Sequence, residues 1–298
     1  MCSFMGTKLA EKMIKVLDYI DGDKFESICD FSFGDYYTSM INLDLSILDN
    51  FISNFNSKNL PLIFVNSDRV KDFFKMVESY EKEFILVSHN GDTTFYEEDI
   101  KNKPKCIKRW FGQNINYFNN DEIISLPIGL ERGFWSKQRY GLDGFKHKMI
   151  NENSNLKIEK HNLLYINFNI STNLEKRGWI PDHFNKFEWV YSRFGGINGN
   201  YELYIKECKE SKFILCPDGN GIDCHRNWEM LYLGIIPILQ ESIFHKTIYN
   251  DLPVCFVKEW TDITEEFLNK EYEIITNKKW NLEKLYFTYW GNKIKNYI

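Results

Sequence analysis

Residues 213–239 read FILCPDGNGIDCHRNWEMLYLGIIPIL. The run Phe213–Cys216 is continuously apolar, the pattern of a strand buried on both faces, and Pro217 ends its ladder. Asp218–Gly219–Asn220–Gly221 is a loop that tolerates positive φ and close backbone approach. Asp223 has the side chain of an N-cap, so a helix is expected from Cys224 until Gly234 closes it. Ile235–Leu239 is the next buried strand. Strand, glycine loop and helix N-terminus together offer N–H groups and a positive dipole end, which suits a phosphate. Many α/β connections share this outline, so the polar residues of the helix decide its meaning.

His225 and Glu229 are four apart and share a face, with Tyr232 close to it, while Arg226 and Glu229 are three apart and can meet. Trp228 and Leu231 project to the other side, toward the sheet. A helix that starts at the carboxyl end of a strand points such residues into the crevice where open α/β sheets bind ligands. Arg226 could hold a diphosphate, and Glu229 could accept hydrogen bonds from ribose or sugar hydroxyls. The plainer alternative is an ion pair on a solvated helix.

Outward from this segment the chain alternates short apolar runs with helical stretches. Leu62–Val65, Phe84–Ser88, Cys106–Phe111 and Ile123–Ile128 read as strands in the first half, and Lys8–Ile20 as a helix through Met13, Val16, Leu17 and Ile20. Asn66–Asp68 opens another helix through Phe73, Phe74 and Val77. Lys137–Leu156, rich in Gly, Lys, Asn and Ser, lacks periodicity and reads as the connection between domains. Leu163–Phe168 and Phe187–Tyr191 then read as strands, Tyr201–Glu210 as a helix, Val254–Val257 as a strand, and Ile263–Ile298 as mostly helical. The expected class is α/β, with two Rossmann-like domains facing across a cleft. They span residues 1–150 and 151–275, and a helix in 276–298 packs back on the first.

The chain has 298 residues, 37 basic and 42 acidic, a net charge of −5, 43% hydrophobic and 16% aromatic content. That composition excludes a disordered chain and argues against gripping nucleic acid through its phosphates. No apolar run approaches the roughly 20 residues of a membrane span, and Met1–Ala10 lacks the order of a secretion signal. Seven scattered cysteines do not make a disulfide framework. A cytoplasmic protein is expected.

Pro217, Gly219, Gly221, Asp223, His225–Arg226, Trp228–Glu229, Gly234 and Pro237 resemble the donor-binding signature of exostosin-type glycosyltransferases. His89–Asp92, Arg109–Asn114 and Leu126–Glu131 resemble parts of that family's compact microbial and viral members. Asn167–Phe168–Asn169 with Thr172, Asn173 and Arg177 looks like the opening of its second domain. The similarity runs from about Phe84 to Leu239. It implies a GT-B architecture in which the second domain holds a nucleotide-sugar, a UDP-sugar before a GDP-sugar. The implied activity is transfer of the sugar to a glycan hydroxyl. Inversion by direct displacement is favoured, although the family includes both stereochemical outcomes.

Residue chemistry supplies the remaining candidates. His89, Asn90 and Asp92 end a buried strand at its carboxyl edge, where His89 or Asp92 could act as general base, and Glu131 is a third candidate. Asp92 is the first choice. A histidine satisfied in a turn and a capping aspartate are the plain alternatives. Asn90, Arg109, Gln113 and Asn114 mix charge and amides as an acceptor site does, beside Trp110 and Phe111, of which at least one is core. Asn167, Asn169 and Thr172 can bond donor phosphate, and Arg177 could neutralise the leaving diphosphate. Asp21–Gly22–Asp23 has the spacing of a metal-binding Asp-x-Asp but reads as a turn. Transfer without a metal or other cofactor is expected, using Arg177, Arg226 and the helix dipole. A zinc hydrolase at Cys216, Cys224 and His225 lacks the usual ligand spacing, and a Cys224 nucleophile lacks a facing base. A sugar- or nucleotide-binding protein without catalysis is the alternative function.

Overall fold

Among the described residues ten short strands pair into two parallel sheets, and those at the centre, such as Leu62–Asn66 and Phe84–His89, are buried on both faces and read as nearly unbroken apolar runs. The computed structural model describes residues 18–34, 41–194 and 200–297. Most of the expected Lys8–Ile20 helix, and Cys2, lie outside them.

The first sheet contains β1 (Phe31–Ser32), β2 (Leu62–Asn66), β3 (Phe84–His89), β4 (Ile107–Gln113) and β5 (Ile123–Leu126), side by side in chain order. Alternate residues part to opposite faces. Ile63, Val65 and Leu86 pack with Phe33, Phe73 and Val77, under the helices Leu45–Asn54 and Val70–Met76. Phe64, Val87 and Phe111 face the other way and share one apolar cluster with Trp228, Trp290 and Ile294 of the second half. The helix Phe287–Lys295 therefore closes the first sheet. The Phe25 and Phe287 rings meet at 5.2 Å, and Arg109 donates from Nη1 to the Tyr297 carbonyl at 3.1 Å.

The second sheet contains β6 (Asn162–Ile166), β7 (Val190–Ser192), β8 (Ser211–Leu215), β9 (Ile236–Gln240) and β10 (Cys255–Val257), in the order β10-β9-β8-β6-β7. From β6 the chain steps one way to β7 and then back past β6 to β8. The order thus reverses between β6 and β8, which pair Leu164 with Phe213. At such a reversal the loops leaving two adjacent strands diverge and open a crevice at their carboxyl ends.

Three sequence expectations need correction. Lys137–Leu156 is not irregular: it lies within the helices Gly133–Tyr140 and Phe145–Ser154, separated by Gly141 and Gly144 at φ 72° and 63°. The second helix buries Lys146, Met149 and Ile150, so a lysine occupies one position of its apolar stripe and conceals the period. Phe187–Tyr191 gives way to a shorter strand at Val190–Ser192, with the Phe187 and Trp189 rings stacked at 5.1 Å before it. Asp21–Gly22–Asp23 is a helix start: Asp21 accepts from Lys24 N at 3.0 Å, and Asp23 takes Arg132 Nε at 2.6 Å.

Candidate functional site

A cavity of about 460 Å³ opens at the reversal between β6 and β8. Two roomier hollows, of about 930 and 1150 Å³, lie at the C-terminal helix and beside Lys71–Lys108. The smaller one stands apart because buried charges converge on it, which is where shaped chemistry is expected.

Its floor is built by the glycine loop. Gly219 N bonds Gly221 O at 3.1 Å. A Cβ at Gly221 would fall 2.3 Å from Asn114 Nδ2, so this glycine lets the loop press against the first half. Arg177 lies in the short helix Leu174–Arg177 and is 4% exposed. Its Nε donates to Asp218 O at 2.7 Å, Nη1 to Asn169 O and Nη2 to Pro217 O, both at 3.0 Å. Its charge lines the cavity, while three of its N–H groups tie the β6 and β8 loops together.

Phe168 carries two guanidinium groups against its ring, Arg177 at 5.3 Å and Arg226 at 5.9 Å. Burial and the neighbouring Arg226 both lower the pKa of Arg177. Among the described residues the Arg226 Nε is buried without a hydrogen-bond partner. The Tyr201 and Tyr204 hydroxyls, beside Glu229 and Arg226, are likewise buried without a well-formed bond. Three unspent polar atoms around one hollow need an explanation, since buried polar groups are normally satisfied.

The helix His225–Tyr232 starts from Cys224 as N-cap rather than Asp223. Asp223 instead braces the two halves. Its Oδ1 accepts from Cys224 N at 2.9 Å, Asn227 Nδ2 at 3.1 Å and the Tyr249 hydroxyl. Its Oδ2 accepts from Trp228 Nε1 at 3.0 Å and from Ile128 N at 2.9 Å. A carboxylate with five donors has no capacity left for a ligand, so its expected donor-binding role gives way to a structural one.

Glu229 is buried and accepts from Lys146 Nζ at 3.0 Å. The same ammonium lies 3.8 Å from Glu131, which takes Arg139 Nη1 at 2.5 Å and Ser136 Oγ at 3.3 Å. The result is an alternating row, Arg139–Glu131–Lys146–Glu229. Burial alone would raise the Glu229 pKa, but the charge and hydrogen bond of Lys146 hold it below the usual value. Burial would likewise lower Lys146, and the two carboxylates hold it above the ordinary ammonium value instead. Lys146, Tyr201, Tyr204 and Arg139 line the cavity and were missed by sequence reasoning. A lysine inside an apolar stripe was the one available signal for Lys146.

His225 donates from Nδ1 to Gly129 O at 2.8 Å, a contact between the two halves of the chain. Asp92 stands at the exposed rim, its Oδ2 accepting from Asn220 Nδ2 at 3.0 Å. Asn167, Asn169 and Thr172 line the cavity too. Asn167 donates to the Tyr165 hydroxyl, and Asn169 Oδ1 caps the following turn through Ser171 N at 3.0 Å.

Other expected residues are not brought to the cavity. His89 is 1% exposed with both ring nitrogens engaged, Nδ1 with the Asn90 amide and Nε2 with Pro127 O, each at 2.9 Å. It is a strand-end histidine with both ring nitrogens occupied by neighbouring groups. Glu131 is buried in its ion pairs, with no lining face. Gln113 fixes the turn after β3 through Asn90 N and Gly91 O. Asn90 holds a positive φ of 66° in that turn, and its carbonyl accepts from Asn66 Nδ2. Asn114, at φ 59°, accepts from Asp223 N at 3.1 Å. Arg109 sits near the start of β4 against Tyr297, at the end of the strand remote from the cleft. Trp110 and Phe111 are both core.

Among the described residues no group of three His, Cys, Asp or Glu gathers as metal ligands, and no helix is long and apolar enough to cross a membrane. No protein-family model matches the chain, and no curated protein matches it in sequence.

Proposed function

We propose that the chain is a glycosyltransferase that moves a sugar from a nucleotide-sugar to a glycan hydroxyl, and that the two α/β halves work as a GT-B pair. The observation that carries this reading is Arg226: a guanidinium Nε buried without a partner, in a cavity at a strand-order reversal, on the opening turn of an eight-residue helix. A diphosphate supplies what these groups lack. Its oxygens take the Arg226 N–H, the Tyr201 and Tyr204 hydroxyls, and the unspent N–H groups of the first helical turn. Arg177 adds positive charge from behind the glycine loop.

The chemistry follows from where charge develops. Breaking the bond between the sugar's anomeric carbon and the phosphate leaves negative charge on the diphosphate, so cations already in place lower the barrier most. The acceptor hydroxyl approaches from the side of the first half, and direct displacement inverts the anomeric centre. UDP-sugars are the favoured donors and GDP-sugars the next.

The test is a thermal-shift panel of nucleoside diphosphates and nucleotide-sugars, followed by assay of diphosphate release. One donor class should raise the melting temperature in a concentration-dependent way and be consumed. Stabilisation without turnover, across acceptors, would support the binding-protein alternative, and no stabilisation by any member would remove both.

A further inference from the structure

We propose that His225 is the general base of the transfer, taking the acceptor's proton on Nε2. This rests on the glycosyltransferase reading and assigns a role in it that Asp92, His89 and Glu131 do not fill.

The tautomer follows from one hydrogen bond. A backbone carbonyl only accepts, so Gly129 O, 2.8 Å from Nδ1, places the imidazole proton there. Nε2 is then the ring's lone-pair nitrogen. It has no partner among the described residues, and the ring lines the same cavity as Arg226 and Glu229. Gly129 has φ 68°, and a Cβ there would lie 2.2 Å from Ile20 O, so the turn that offers this carbonyl is fixed by close packing. The ring is thus oriented by one half of the molecule while its helix belongs to the other. The usual arrangement of a catalytic base is the same: one nitrogen held, the other presented.

The electrostatic surroundings keep the base ready. Burial and the Lys146 ammonium lower the His225 pKa, outweighing the Gly129 carbonyl and the Glu131 and Glu229 carboxylates. His89 from β3 and His147 from the neighbouring helix also act on it, each titrating below its ordinary value. Two competing candidates are engaged, His89 with both nitrogens bonded and Glu131 in its ion pairs, while Asp92 stands at the solvated rim with Oδ2 accepting from Asn220.

In the step, the acceptor oxygen forms a bond to the anomeric carbon as its proton passes to Nε2. The bond from that carbon to the phosphate oxygen breaks, and its electron pair leaves with the nucleoside diphosphate. The imidazolium, held by Gly129 O and flanked by two carboxylates, returns its proton to solvent.

The experiment uses His225→Asn, whose amide N–H stands where Nδ1–H was and which has no Nε2. UDP-glucose, UDP-galactose, UDP-N-acetylglucosamine and GDP-mannose serve as donors with water as acceptor. Release of UDP or GDP is read beside calorimetric binding of the same diphosphates. Expected are binding within about threefold of wild type and release lowered at least tenfold, with about 10²- to 10⁴-fold the ordinary range for a lost base. The acid limb of the wild-type profile, below pH 6.5, should be absent from the variant's residual rate. Added imidazole should restore part of the release in His225→Ala, which serves as second variant should the asparagine protein not fold. Release reduced less than tenfold, or binding lost in step with release, overturns the assignment while leaving the glycosyltransferase reading intact. A wild type that binds none of these compounds overturns both.

Discussion

Lys146 Nζ donates to Glu229 Oε1 at 3.0 Å, joining the helix Phe145–Ser154 to the site helix across 83 positions of sequence. Both side chains are buried, and Glu131 stands on the other flank of the lysine. Two carboxylates and one ammonium share a low-dielectric space, so none can be removed without leaving its neighbours uncompensated.

Lys146→Met should therefore destabilise the fold by about 3–5 kcal/mol, the cost of orphaning a buried charge. Glu229→Gln in the same chain should recover part of that loss, because one stranded carboxylate is neutralised. Urea denaturation of both single variants and the double variant measures the coupling. Strict additivity would show that the two side chains do not act as a pair.

The pH dependence has a definite sign. His89, His147 and His225 all have pKa values lowered by burial. Each contributes stability that is complete above its unfolded pKa of about 6.5 and is lost as pH falls through the folded value. Glu229, also lowered, adds stability lost only at more acid pH, below its unfolded value of about 4.3. The melting temperature should start to fall on acidification below about pH 6.5, well before ordinary carboxylates titrate. A flat melting temperature from pH 7.5 down to about pH 4.5 would contradict the neutral histidine environments.

Gly221→Ala places a methyl group 2.3 Å from Asn114 Nδ2 and 3.0 Å from Asp92 O. Overpacking of this kind costs about 1–3 kcal/mol. Asn114→Gly should relieve part of it, since glycine accepts the φ of 59° and removes the clashing amide. Thermal melts of the single and double variants decide the matter. A double variant no more stable than Gly221→Ala would place the strain elsewhere.

Arg226→Gln should weaken the binding of UDP or GDP by about 10- to 100-fold, from the about 1.5–3 kcal/mol of a charged hydrogen bond. The unliganded variant should still fold, because Arg226 Nε bonds nothing in the described structure and the guanidinium's packing against Phe168 is what the substitution removes. Calorimetric titration of variant and wild type checks this, and equal affinities would show that the ligand lies elsewhere.

The parts of this architecture that sequence reveals are those where local pattern and tertiary role coincide. FILVSH at 84–89 and LLYI at 163–166 stand out because parallel strands buried on both faces need no polar alternation. The His225–Tyr232 helix stands out through Pro217, its glycine loop and Gly234. Lys146 does not, since a buried lysine breaks the apolar spacing that would mark its helix. His89 and His225 both end or begin elements at a sheet's carboxyl edge. Only the fold shows that Pro127 O closes off the first while Gly129 O orients the second. The reversal between β6 and β8 is a matter of strand order, set by which apolar runs pair across long separations, and no local motif encodes it. Arg109 looked like a site residue beside two aromatics, and its partner Tyr297 lies 188 positions away.

The most direct measurement is a crystal structure of the protein soaked with UDP. The account predicts the diphosphate in the cavity between β6 and β8, within hydrogen-bond distance of the Arg226 guanidinium and beside the first turn of the His225–Tyr232 helix. UDP bound at another surface, with that cavity empty at saturating ligand, would contradict it.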